Sequence, residues 1–235
     1  MSSATVQIAA NMAVWGHWTR ILALAVHQPQ VQFEIYNTVI PSLPLPKWIS
    51  NVKRVYSLQK GVPLVCEHGF ESLNPYQASD FPKILCVRKT SRESLDPNVY
   101  TQVMTVSDLD KPGDFSPVVL ETPLVHKPFP NHVLVCNEAS NLEYLKRLHP
   151  DYVHKLVHPI TSMRQQIAHL VGIGSYNLFW ECAYYGIPCQ LYPSVWPNDS
   201  IWRIGQLGER SMPGHFENGA PVLSQAIWDW WQEVF

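Results

Sequence analysis

Charge is scarce in this sequence. Only 15% of its 235 residues are Asp, Glu, Lys or Arg, and they nearly cancel at a net −2. So small a net charge gives no strong field to draw the chain to nucleic acid, and Lys83, Arg88, Lys89 and Arg92 form its one local basic run. No apolar run approaches the length of a membrane span. The first fourteen residues hold no Lys or Arg, and their apolar stretch is broken by Gln7 and Asn11, which argues against a secretory leader. Cys66, Cys86, Cys136, Cys182 and Cys189 are odd in number and include no Cys-x-x-Cys pair. They are expected as free thiols in a reducing cytoplasm. The ten histidines include no His-Glu-x-x-His pattern, and His149, His154 and His158 are read as surface and strand-end residues. No metal site is expected. Internal repeats and low-complexity segments are absent. What is plentiful is apolar side chain, at 46%, enough for one large core or two small ones.

Apolar strand-like runs alternate with helical stretches along the chain. In the first part, Val6–Ala10, Val31–Asn37, Val62–Glu67, Lys83–Arg88, Tyr100–Val106 and Val118–Leu120 read as strands. Gly16–His27 reads as a helix and Lys47–Gln59 as a weak one. A proline-containing segment, Thr122–Asn131, reads as a linker. The rhythm then restarts, with strands at His132–Cys136, Val153–Val157, Leu170–Ile173 and Cys189–Tyr192. Helices are expected at Leu142–Leu148, Ser162–His169, Tyr176–Tyr185, Ser200–Leu207 and Ser224–Val234. Repeated strand–helix units predict an α/β protein with mostly parallel sheets and helices on both faces. Two series suggest two small Rossmann-like halves, residues 1–127 and 128–235. The aromatic terminal helix, with Trp228, Trp230 and Trp231, would pack back on the first half or form a contact between copies.

The densest signal is Val171-Gly-Ile-Gly-Ser-Tyr-Asn-Leu-Phe-Trp-Glu181, running on to Gly186-Ile-Pro188. It reads as strand, glycine turn, helix and helix stop. Small residues before a helix let backbone N–H groups approach a ligand, and the positive helix end favours an anion such as a diphosphate. Glu181 falls one turn after Asn177 on the same face, where a carboxylate can accept hydrogen bonds from both hydroxyls of a ribose. The same pattern also occurs as a plain turn, with Phe179, Trp180, Cys182 and Ala183 as core.

The segment from Gly174 through Asn177 and Glu181 to Gly186-Ile-Pro188 resembles the donor-site signature of GT-B glycosyltransferases. The groups it resembles most are the UDP-glycosyltransferases and the UDP-N-acetylglucosamine transferase of peptidoglycan synthesis. A second stretch, Gly16-His-Trp-Thr-Arg-Ile-Leu-Ala-Leu-Ala25, is similar to the Gly-His helix that follows the first strand in the same families. The resemblance implies a two-domain fold of GT-B type with the active site in the cleft between the halves. The first half would be acceptor-side and the second would bind the nucleotide sugar. It further implies inverting transfer of glucose or a related hexose from a UDP-sugar donor substrate to an acceptor hydroxyl, with no metal or other cofactor. His17 would be the general base. Gly16, Gly174, Ser175, Tyr176 and Asn177 would line the donor diphosphate, and Glu181 would hold the ribose. Asp199 matches the place of an Asp-Gln pair that holds donor sugar hydroxyls, with Ser200 where the Gln would stand. Two departures concern the diphosphate: Ile173 occupies the place of a common His, and Leu178 that of a small hydroxyl residue.

Beyond the motif, Glu67 ends a strand and could orient His17 as in a His–carboxylate dyad; the adjacent His68 is a rival base. Arg164 or Arg20 could balance the departing diphosphate, and Trp196 or Trp202 could stack on a base or sugar. The acceptor stays open among a small molecule, a glycan, a lipid-linked sugar and a hydroxymethylated base in DNA; the run Lys83–Arg92 is the only hint of the last. A sugar-nucleotide epimerase or hydrolase of the same fold, and a non-catalytic nucleotide-binding protein, also remain open, as does the oligomeric state.

Overall fold

The computed structural model describes residues 4–10, 15–37, 45–67, 73, 75–89, 95–109, 111–136, 138–156, 159–194, 199–207 and 216–235. The chain divides into two compact units: Met1–Leu120 together with Asn218–Phe235, and Glu121–Glu217. The expected division at residue 127 left the terminal helix in the second half. It belongs instead to the first unit, because its apolar stripe is buried against an apolar helix there.

In the first unit, strand β1 (Thr5–Ala10) leads to helix α1 (Trp15–Val26) and strand β2 (Gln32–Asn37). Strands β3 (Val52–Val55), β4 (Leu64–Glu67), β5 (Ile84–Lys89) and β6 (Gln102–Val106) follow. All six pair in parallel, in the order β3-β2-β1-β4-β5-β6. This is the strand order of a dinucleotide-binding sheet, which reverses between β1 and β4.

Local side chains secure the connections. The Asn51 amide donates to the carbonyls of Ala25, Gln28 and Val31 at 2.9 to 3.0 Å and so closes the α1–β2 turn. Gln7, buried on β1, donates to the carbonyls of Gln59, Val62 and Pro63 and accepts from the Gln59 N–H. Two expectations fail. The Lys47–Gln59 stretch contains strand β3 rather than a helix, because Val52 and Val55 pair with Phe33 and Tyr36 of β2. Val118–Leu120 is buried but belongs to no strand; the Asn218 side chain takes the place of a neighbouring strand, accepting from the Val119 N–H and donating to its carbonyl at 3.0 Å. One face of the sheet, through Ala9, Cys66, Ile84 and Cys86, packs on Leu58, Leu73 and Phe81, none of which lies in an α-helix.

The second unit contains β7 (His132–Val135), α2 (Ala139–Leu148), β8 (Val153–His154), β9 (His169–Ile173), α3 (Tyr176–Tyr185), β10 (Cys189–Tyr192) and α4 (Asp199–Leu207). Its four parallel strands run β10-β9-β7-β8, so the order reverses between β7 and β9. The helix expected at Ser162–His169 is a 3-10 segment, Ile160–Gln166, and His169 already opens β9. Helix α3 ends where Gly186 adopts a left-handed conformation (φ 62°) and the Ile187 N–H donates to the Cys182 carbonyl. The chain then returns to the first unit as α5 (Ala220–Val234), whose Ser224 hydroxyl donates to the Leu24 carbonyl of α1 at 2.7 Å. Among the described residues, no helix is long and apolar enough to cross a membrane, and no group of three His, Cys, Asp or Glu side chains is placed to hold a metal ion.

Candidate functional site

Ligands of open parallel sheets bind beyond the carboxyl ends of the strands, where the strand order reverses. In the first unit that point lies between β1 and β4. His17 and Glu67 sit there, on the first turn of α1 and at the last residue of β4. Both are buried, at 6% and 2% exposure, and the His17 Nδ1 is in direct contact with the Glu67 carboxylate. Arg20, one turn along α1, donates from Nε to the other carboxylate oxygen at 2.6 Å, and its Nη2 pairs with the same oxygen. That Nη2 also lies 3.1 Å from His17 Nδ1. One ring nitrogen cannot donate to Glu67 and accept from Arg20 together. An ionised carboxylate has only acceptors, so the proton belongs on Nδ1, and Nε2 keeps the lone pair. Arg20 thus pairs with Glu67 and places a positive charge beside that carboxylate. Gly16 lies in the first turn of α1; His68 is outside the described residues.

In the second unit the reversal lies between β7 and β9, and the glycine turn follows β9 directly. Both glycines serve close packing. A Cβ on Gly172 would stand 2.7 Å from Leu178 Cδ2, and one on Gly174 would stand 2.5 Å from Ile204 Cδ1. Leu178, which departs from the family pattern, therefore fills the space over Gly172. Ile173, the other departure, is buried in a cluster with Leu134, Leu145 and Val171. The Gly174 N–H donates to the Tyr192 carbonyl and the Ser175 N–H to the Ile173 carbonyl at 2.7 Å. Neither N–H is therefore open to a diphosphate, contrary to the simplest reading of the turn. What remains for an anion is the first turn of α3, whose N–H groups have no acceptor within the helix. Beside it is the Ser175 hydroxyl, which makes no cap bond to the helix.

Asn177 is half-buried, one turn before Glu181. Glu181 is 6% exposed, without a hydrogen-bond or ion-pair partner among the described residues, and burial raises its carboxyl to about 8. It is a neutral acid at pH 7 in the unliganded protein. Tyr176 is buried, with its ring beside that of Trp180.

Arg164 is placed elsewhere. It donates to the carbonyls of Thr122 and Thr161 and to the Thr122 hydroxyl at 2.9 to 3.1 Å, and stacks 4.3 Å from the Tyr185 ring centroid. Tyr185 is the last residue of α3, about 15 Å from its start for ten residues at 1.5 Å each. Arg164 braces the 121–125 segment and is too far from the turn to meet a diphosphate there. Asp199 opens α4, with its side chain outside the described residues, as are Trp196 and Asn198 in full. Of the basic run, Arg88 is buried on β5, and Arg92 is outside the described residues. Arg203 of α4, fully buried beside the turn, escaped the sequence reading, because nothing in the sequence links it to a backbone carbonyl 29 residues away.

Two parallel sheets of Rossmann type, each with its motif at the strand-order reversal, define an α/β fold of GT-B type. No family model and no curated protein matches the chain. Among solved structures it is similar to MurG of Acinetobacter baumannii. That likeness has a TM-score of 0.50 at 10% identity and covers 97% of this chain and 90% of that one. At this identity it is a likeness of fold.

Proposed function

We propose that the protein is a nucleotide-sugar-dependent glycosyltransferase that inverts the anomeric carbon, with a UDP-hexose as donor and a hydroxyl as acceptor. The observation that carries this reading is the coincidence of each motif with the strand-order reversal of its own sheet. His17 Nε2 takes the acceptor proton as the hydroxyl oxygen attacks the anomeric carbon, and the bond from that carbon to the diphosphate oxygen breaks. Glu67, held by Arg20, stabilises the imidazolium that forms. The N-terminal end of α3 and the Ser175 hydroxyl take the negative charge of the leaving diphosphate. Glu181 accepts the ribose hydroxyls. Ile173, buried where a diphosphate-binding His would stand, favours a second reading in which the protein binds a nucleotide without turnover.

The test is a matched pair of variants assayed for UDP release with and without a pool of hydroxylated acceptors. His17→Ala is expected to retain UDP affinity while turnover falls by two orders of magnitude or more, the usual scale of a lost general base. Glu181→Gln is expected to weaken UDP binding about tenfold, if the ribose hydroxyls draw the proton from Glu181 and bind its carboxylate, a charged acceptor that glutamine cannot replace. Wild-type turnover in His17→Ala refutes the base assignment. UDP binding with no turnover in the wild type selects the binding-only reading, and donor turnover without acceptor selects an epimerase or hydrolase.

A further inference from the structure

We infer that Arg203 is a positioning residue of the nucleotide-diphosphate site, acting through the Gly174 carbonyl; this rests on the reading of residues 172–181 as that site. Helix α4 meets the turn through two residues, Arg203 and Ile204, and is anchored at its start by a third. Arg203 Nη1 donates to the Gly174 carbonyl at 2.6 Å, and its guanidinium carbon lies 5.5 and 5.8 Å from the ring centroids of Tyr176 and Phe179. Ile204 occupies the volume that a Gly174 side chain would need. Ser200, itself fully buried, anchors the start of α4 by accepting from the Ser194 N–H at 2.8 Å and donating to the Ser194 carbonyl at 3.0 Å.

The consequence lies in one peptide plane. The Gly174 carbonyl and the Ser175 N–H belong to the same planar unit. Arg203 holds the carbonyl end, and the Ile173 carbonyl holds the N–H end. With both ends held, ψ of Gly174 and φ of Ser175 are fixed, and with them the direction in which Ser175 enters α3. A glycine would otherwise allow that plane to rotate at little cost. Arg203 is also 0% exposed. Burying a guanidinium carries a desolvation cost that its partners must offset, whereas an aliphatic residue could fill the same volume without that cost. An arginine at this place supplies what an aliphatic residue cannot: a donor to the turn and a positive charge beside the end of α3 where a diphosphate would rest.

The experiment is calorimetric titration of UDP into wild-type protein, Arg203→Met, Arg203→Lys and Ile35→Val, each at a temperature well below its Tm. Ile35→Val is a core control in β2 of the first unit, away from the turn. A tenfold or greater rise in Kd for Arg203→Met, a smaller one for Arg203→Lys and none for Ile35→Val supports the assignment. Wild-type Kd in folded Arg203→Met overturns it and leaves the proposed function standing. If Arg203→Met does not fold, Arg203→Lys decides: an unchanged Kd overturns the assignment, and a raised one supports it. If neither UDP nor another nucleoside diphosphate binds the wild type, the proposed function falls, and this assignment falls with it.

Discussion

Replacing Glu181 by Gln should change how stability depends on pH. Burial raises this carboxyl from its ordinary 4.5 to about 8, and no cation among the described residues offsets the effect. Between those values the native state keeps a proton that the unfolded chain has lost. Stability contributed by the neutral acid is therefore complete below pH 4.5 and drains as pH rises to about 8. Each unit of that interval corresponds to about 1.4 kcal/mol, so the full loss is on the order of 5 kcal/mol. Against a typical total of roughly 5–15 kcal/mol, such a loss would leave the second unit marginal in mild alkali. Glutamine has nearly the same volume and no charge at any pH, so the variant should not share the decline. The assay is urea unfolding of both proteins at intervals from pH 5 to 9, comparing the pair at each pH so that all other titrating groups cancel. The stability of Glu181→Gln relative to wild type should rise by about 1.4 kcal/mol per unit up to pH 8 and then level off. Curves that run parallel across the range would refute the claim that this carboxylate is buried without a partner.

Two other predictions concern the same unit. Burial, then the neighbouring His132 and His149, lower the affinity of His169 for a proton, and its Nδ1 is 3.0 Å from the Tyr152 hydroxyl. A histidine depressed in the native state contributes stability above about pH 6.5 that is lost as pH falls through that value. His169→Gln should therefore lose less stability than wild type between pH 7.5 and 5.5 in thermal melts, and an equal loss would contradict the assignment. Gly174→Ala should cost on the order of 1 kcal/mol, the low end of overpacking, because the new methyl meets only the end of the Ile204 side chain. Ile204→Ala should recover part of that cost in a double-mutant cycle, and strict additivity would show that the two residues do not share the space.

How much of this was legible in the sequence varies from residue to residue. The α/β class, β1, α1 and the β9–α3–β10 unit could be read because their signals are local: apolar runs, a glycine turn, and a Gly-Ile-Pro stop that the left-handed Gly186 makes literal. Strand β3 could not, because Val-Lys-Arg-Val carries no pattern of its own and becomes a strand only by pairing with β2. Val118–Leu120 failed in the opposite direction: an apolar run had no strand beside it, and a side chain from residue 218 satisfied its backbone. The contact of His17 with Glu67 spans 50 residues but was foreseeable, since Glu67 ends β4 and His17 opens the helix that follows β1, its parallel neighbour. Arg164, a candidate to balance the diphosphate charge, stacks on Tyr185 at the last residue of α3, because the need for a cation gives no direction along a helix. The glycines were legible as small residues, but the Leu178 and Ile204 side chains that require them were not.

The measurement that tests the central claim most directly is a thermal-shift panel of UDP-, GDP-, ADP- and dTDP-sugars on the wild type and on Glu181→Gln. A ligand that binds only the native state must raise Tm. The account predicts that a UDP-sugar stabilises the wild type and that the shift is lost or much reduced in Glu181→Gln. No shift from any nucleotide sugar at roughly millimolar concentration, where even a Kd of 1 mM would register, would contradict it and leave the glycine motif as a structural turn.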